Sequence, residues 1–154
     1  MRIVVTKGHG CGRTPLSAFD HALFEAGIHN YNLVPLSSVI PPGTVIERAK
    51  FEPSGDEWGN RLYIVMARNS TMIAGTEAWA GIGWVQTPDG RGLFVEHFDA
   101  SRENVEDMIQ MSLGDMVEYR DEDFGEVQMV LQGGRCVDRP VCGLVAAVYQ
   151  SQDW

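Results

Sequence analysis

Leu33-Val34-Pro35-Leu36-Ser37-Ser38-Val39-Ile40-Pro41-Pro42 sets two adjacent serines between two apolar runs and closes on a proline pair. Residues 33–36 have the composition of a strand, the serines would mark its end, and Pro41-Pro42 reads as a stiff extended turn. The same string also holds the parts of a self-cleaving bond. A serine on the carboxyl side of a peptide bond can attack the preceding carbonyl and turn the amide into an ester. The backbone must be held rigid and bent for the hydroxyl to reach. β-Elimination then splits the chain and leaves dehydroalanine, which takes up water and loses ammonia to become a pyruvoyl group. Here the hydroxyl is that of Ser38 and the carbonyl that of Ser37.

Working outward, Thr14-Pro15 is a helix start, with Thr as N-cap and Pro at the first helical position. The helix is expected over 14–26, with Gly27 as its left-handed stop. Leu16, Phe19, Leu23 and Phe24 recur at helical spacing and predict a buried stripe, with Asp20 between Leu16 and Phe24. A carboxylate on that stripe needs donors or a cation. It would bond nearby backbone or an arginine of its own chain, or it would accept the charge of a substrate. Upstream, Arg2–Thr6 reads as a strand. Lys7–Arg13 reads as a glycine-rich loop or a point of close backbone approach, since its G-x-G-x-G spacing is not a phosphate-binding fingerprint.

The wider string Thr14-Pro15-Leu16-Ser17-Ala18-Phe19-Asp20-His21-Ala22-Leu23, then Ala26-Gly27-Ile28, Asn30-Tyr31-Asn32-Leu33 and Ser37-Ser38-Val39-Ile40-Pro41-Pro42, resembles the pyruvoyl-dependent arginine decarboxylase family. The resemblance is dense over residues 12–43 and looser beyond. It implies cleavage of one 1–154 domain into residues 1–37 (β chain) and 38–154 (α chain). The cofactor is then a covalent pyruvoyl group made from Ser38, with no pyridoxal phosphate and no metal. It also implies decarboxylation of L-arginine to agmatine, an αββα four-layer arrangement, and a homotrimer with active sites between subunits. By the same resemblance Asn32 assists processing, Asp20 belongs to the substrate pocket together with Ser37, and a glutamate after a hairpin is the proton donor.

Glu96 is that glutamate. Thr87-Pro88-Asp89-Gly90-Arg91-Gly92 is a hairpin signal between strands expected over 77–85 and 93–98. Glu96 shares a face with Phe94 and Phe98, and His97 points the other way. Apolar surroundings raise a carboxyl pKa towards the range of a general acid. Glu77, across the hairpin, is the alternative acid. Two other readings remain: a pyruvoyl enzyme acting on a different amino acid, and an uncleaved, non-catalytic relative.

Further strands are expected over 31–36, 44–48, 62–67, 126–132 and 141–149. A second helix is expected over 101–119, begun by Ser101 and carrying Val105, Met108, Ile109, Leu113, Met116 and Val117 inward. Two helices and seven or eight strands predict an α/β sandwich of the α+β type, with mainly antiparallel sheets and a helix layer on each outer face. The net charge of −9 leaves no basic stripe for nucleic acid. It mildly favours a cationic substrate. Cys11, Cys136 and Cys142 form no disulfide framework, and His9, His21, His29 and His97 show no metal-ligand spacing. No signal peptide and no membrane span is legible, so the cytoplasm is the expected compartment.

Overall fold

The computed structural model describes residues 1–154. Its elements run β1 (Arg2–Cys11), α1 (Pro15–Ala26), β2 (Asn32–Pro35), β3 (Val39–Ile40), β4 (Val45–Arg48), β5 (Arg61–Thr71), β6 (Glu77–Gln86), β7 (Gly92–Asp99), α2 (Arg102–Glu118), β8 (Gln128–Arg135) and β9 (Val141–Gln152). Two sheets form, one in the order β2-β5-β9-β1-β4 and one in the order β3-β7-β6-β8. Pairing is antiparallel except for β1 with β4 and β2 with β5.

Three apolar layers hold the stack together. Ile3, Val5, Val65, Ala67, Val145 and Ala147 of the larger sheet meet Ile40, Ala80, Ile82, Trp84 and Phe94 of the smaller one. Ala18, Ala22, Leu23 and Ala26 of α1 cover the outer face of the larger sheet, against Leu62, Ile64, Leu144 and Ala146. Val105, Ile109 and Leu113 of α2 cover the outer face of the smaller sheet, against Val85, Leu93 and Val95. Alternate residues of one strand therefore feed two different layers, as period-2 side chains must. The result is the expected four-layer α-β-β-α sandwich.

Both helices start as expected. The Thr14 side chain accepts from the Ser17 N–H, Pro15 opens the helix, and Gly27 at φ 81° stops it. Ser101 caps α2 by accepting from the Asn104 N–H.

Two expectations over the N-terminal third are corrected. Residues 7–11 are not loop but the alternative, a close backbone approach, on a strand: β1 continues to Cys11 in register with β9. The expected stripe of α1 holds only in part: Leu23 is buried and Phe19 packs beside it. Leu16 and Phe24 are 75% and 52% exposed, and Asp20 stands in solvent with them. Gly8 and Gly10 explain both. A Cβ on Gly8 would lie 1.9 Å from the Ala22 carbonyl oxygen, and one on Gly10 would lie 2.2 Å from that of Ala18. The helix thus sits directly on the strand backbone. Only the small residues Ala18, Ala22 and Ala26 fit against the strand backbone, so Leu23 and Phe19 pack to the side of it and Leu16 and Phe24 turn outward.

Smaller departures occur elsewhere. β5 runs through the expected turn to Thr71, β8 takes in Gly133-Gly134-Arg135, and Val39–Ile40 forms a short strand pairing Leu93 and Gly92 of β7. No helix of the chain is long and apolar enough to cross a membrane.

Candidate active site

Residues 36–38 cross from β2, at one edge of the larger sheet, to β3, at one edge of the smaller sheet. Both ends of the crossing are pinned. The Leu36 N–H donates to the Ile64 carbonyl at 2.8 Å, and the Phe94 N–H donates to the Ser38 carbonyl at 2.8 Å. A short span between two fixed points has little choice of dihedral. Ser38 adopts φ 66°, and no other non-glycine residue in the chain has a positive φ. A side chain in that region costs of order 1 kcal/mol and persists only where surrounding bonds enforce it.

The Ser38 hydroxyl donates to Glu96 Oε1 at 2.7 Å. Glu96 lies on β7 beside Phe94, and Phe94 is fully buried between the sheets. Its carboxylate therefore points into the inter-sheet space near the edge, half-buried, with no basic side chain paired to it. An unpaired carboxylate holding an alcohol proton at this distance is placed as a general base. Phe98, expected to flank Glu96 as Phe94 does, is 63% exposed, so the apolar wall stands on one side only. His97 faces away and pairs with Ser112 of α2 at 2.7 Å.

Tyr149 completes the group and was not singled out from sequence. Its hydroxyl donates to the Val39 carbonyl at 3.0 Å, and its ring meets Phe94 edge-on with centroids 6.1 Å apart. Burial, and then the charge of Glu96, push the Tyr149 phenol well above its usual range, so it stays a donor. It thereby fixes the residue that follows Ser38. The one signal in the sequence was a phenol ending the long apolar run of β9. Tyr149→Phe removes a single hydrogen bond of about 1 kcal/mol. We expect a several-fold slower appearance of cleaved chains on denaturing gels, with the fold retained by circular dichroism.

The other residues singled out from sequence do not converge on Ser38 within one chain. Ser37 is exposed, and its carbonyl accepts no hydrogen bond from the protein. Asn32 begins β2 and donates to the Gly59 carbonyl at 2.6 Å. Asp20 stands on the exposed face of α1. Glu77, the alternative acid, accepts from Trp79 Nε1 at 2.8 Å and lies in register with Arg135 of β8. Ile82, not Glu77, is the β6 residue opposite Glu96.

Residues 2–153 match the family model described as pyruvoyl-dependent arginine decarboxylase. The chain is similar to a pyruvoyl-dependent arginine decarboxylase of Halobacterium salinarum, 35% identical over 123 residues, which are 79% of this chain and 76% of that one. It is similar to another of Pyrococcus abyssi, 31% identical over 140 residues, covering 89% of this chain and 87% of that one. Among solved structures, a pyruvoyl-dependent histidine decarboxylase superposes with a TM-score of 0.45 at 11% identity, over 69% of this chain and 55% of that one.

Proposed function

The chain belongs to the pyruvoyl-dependent arginine decarboxylase family, and from that premise we propose that it cuts its own backbone between Ser37 and Ser38 and then decarboxylates L-arginine to agmatine. The observation that carries the proposal is the strained Ser38, alone among non-glycine residues at positive φ, with its hydroxyl on Glu96.

Glu96 takes the hydroxyl proton as Ser38 Oγ attacks the Ser37 carbonyl carbon. The C–N bond breaks, the nitrogen is protonated, and the 37–38 link becomes an ester. Loss of the Ser38 α proton then expels the Ser37 carboxylate and leaves dehydroalanine at the head of residues 38–154. One water enters and one ammonia leaves, which yields the pyruvoyl terminus. The site fits such a group. Residue 38 is half-buried between two exposed neighbours, so a substrate amine can reach it while β7 and Tyr149 hold it. The pyruvoyl group supplies an electron sink for the bond to carbon dioxide. Cleavage also removes the hydroxyl that occupied Glu96. The carboxyl then faces the position of the substrate α carbon and can return a proton to it.

Asn32 and Asp20 act, in this reading, on the Ser38 of a neighbouring protomer in a homotrimer. The bare Ser37 carbonyl lacks a donor for the developing oxyanion, which an amide such as Asn32 can supply. Asp20, exposed and without an ion pair, suits a guanidinium, whose fork favours bidentate pairing. Chains carrying Asp20→Ala and chains carrying Ser38→Ala are each expected to be inactive. Unfolded and refolded together, they should regain about a quarter of wild-type activity, the fraction of intact sites under random cyclic mixing. No recovery would place both residues in one protomer's site.

Substrate choice is tested by incubating the purified protein with arginine, lysine, ornithine and histidine and identifying the amines released. Agmatine should dominate. A larger yield of another amine would reassign the pocket while leaving the self-cleavage untouched.

A further inference from the structure

β7 supplies more to Ser38 than the carboxylate of Glu96. Two residues before Glu96, the Phe94 N–H donates to the Ser38 carbonyl oxygen at 2.8 Å. The bond lies one residue outside the β3–β7 ladder, whose pairs begin at Val39 with Leu93. Its donor is held on every side. Phe94 pairs with Trp84 of β6, its ring meets those of Trp84 and Tyr149 edge-on at 6.0 and 6.1 Å, and the residue is 1% exposed. Water therefore cannot stand in for this N–H. A dipole fixed in so dry a place interacts strongly with charge that develops in front of it.

The three carbonyls around the scissile bond differ. That of Ser37, the one attacked, accepts nothing from the protein, whereas that of Ser38 accepts from Phe94 and that of Val39 from Tyr149. A donor on the Ser38 carbonyl does nothing for the attack on Ser37. It matters afterwards, because this carbonyl is joined to the carbon that loses a proton in the elimination.

We propose that the Phe94 backbone N–H is a catalytic donor for the elimination, holding the negative charge that gathers on the Ser38 carbonyl oxygen. The inference rests on the self-cleavage reading and deepens it. The Ser38 Cα–H bond breaks and its proton passes to Glu96, whose earlier proton has gone to the freed nitrogen. The electron pair spreads onto the Ser38 carbonyl oxygen, against the Phe94 N–H. It then returns to form the Cα–Cβ double bond, and the Cβ–O bond breaks with its pair on the departing Ser37 carboxylate. In the cleaved chain the same oxygen is conjugated with the pyruvoyl group, so the N–H also faces the atom towards which that group draws electrons.

The test removes the donor alone. Phenyllactic acid placed at position 94 by nonsense suppression turns the Leu93–Phe94 amide into an ester, keeping the ring and deleting the N–H. A matched chain carries the hydroxy acid of leucine at position 36, which deletes the other pin of the crossing, the Leu36 N–H on Ile64. Circular dichroism checks both folds. Each chain is treated with hydroxylamine and its fragments are weighed. In the Phe94 ester chain elimination should slow by about 10²-fold or more, the worth of one buried oxyanion donor. The 37–38 ester should therefore accumulate and be released as a hydroxamate ending at Ser37, distinct in mass from the fragments of the introduced ester. The Leu36 ester chain loses a pin but not this donor, and should accumulate none. Phe94→Leu, which keeps the N–H and removes the ring, should accumulate none either. Absence of the hydroxamate from a folded Phe94 ester chain would overturn the proposal and leave self-cleavage standing. Its release from Phe94→Leu or from the Leu36 ester chain would overturn it too, whether or not the Phe94 ester chain folds. A parent chain that never cleaves would overturn the self-cleavage reading and this inference with it.

Discussion

Ser38→Ala is expected to leave the polypeptide whole and to lower arginine decarboxylation by about 10⁴-fold or more, the scale seen when a nucleophile is removed. The substitution deletes the one oxygen that can attack the Ser37 carbonyl, so no downstream step can begin. Alanine also releases the hydrogen bond to Glu96. It does not release φ 66° at position 38, because the Leu36 and Ser38 backbone bonds that impose it remain. The variant should therefore keep its fold, and denaturing electrophoresis should show one band where the parent shows two. Two bands of parental size from Ser38→Ala would mean that an outside protease makes the cut.

Glu96→Gln is expected to act twice. An amide can still accept the Ser38 hydroxyl bond, so the geometry survives, but it cannot carry the proton away. Self-cleavage should slow by about 10²- to 10³-fold, the usual worth of a positioned general base. The chains that do cleave should then turn over at least about 10²-fold more slowly, because the group that returns a proton to the α carbon has gone as well. Following band intensity and agmatine release in one sample separates the two effects. Normal turnover per cleaved chain would leave Glu96 with processing alone.

Much of this site could be read from the chain because the signals were local. Thr14, Pro15 and Gly27 bound α1 through contacts within a turn of themselves. The 87–92 turn joins β6 and β7 as an antiparallel hairpin, as expected. Val105, Ile109 and Leu113 point inward at the helical period. The alternation along β7 placed Glu96 with Phe94 and away from His97. What escaped depended on partners distant in sequence. The buried face of α1 was decided by Gly8 and Gly10 of another strand, which turned Leu16 and Phe24 outward. Tyr149 reaches back 110 residues to Val39, and no periodicity carries that information. Ser38 and Glu96 stand 58 positions apart, and only the family resemblance linked them before the fold did.

Asp20 shows the same limit from the other side. A carboxylate amid Leu16 and Phe24 invites burial, yet both of those side chains are exposed with it in a single protomer. They and the carboxylate are together available to a neighbouring chain, which is why the mixed refolding of Asp20→Ala with Ser38→Ala bears on the assembly as much as on the residue.

Intact mass spectrometry of the purified protein, before any substrate is added, addresses the bond between Ser37 and Ser38 itself. Two polypeptides are predicted, residues 1–37 with a free carboxyl end and residues 38–154 lighter than an unmodified serine terminus by one ammonia. A fully active preparation in which every chain runs unbroken from position 1 to position 154 would contradict it.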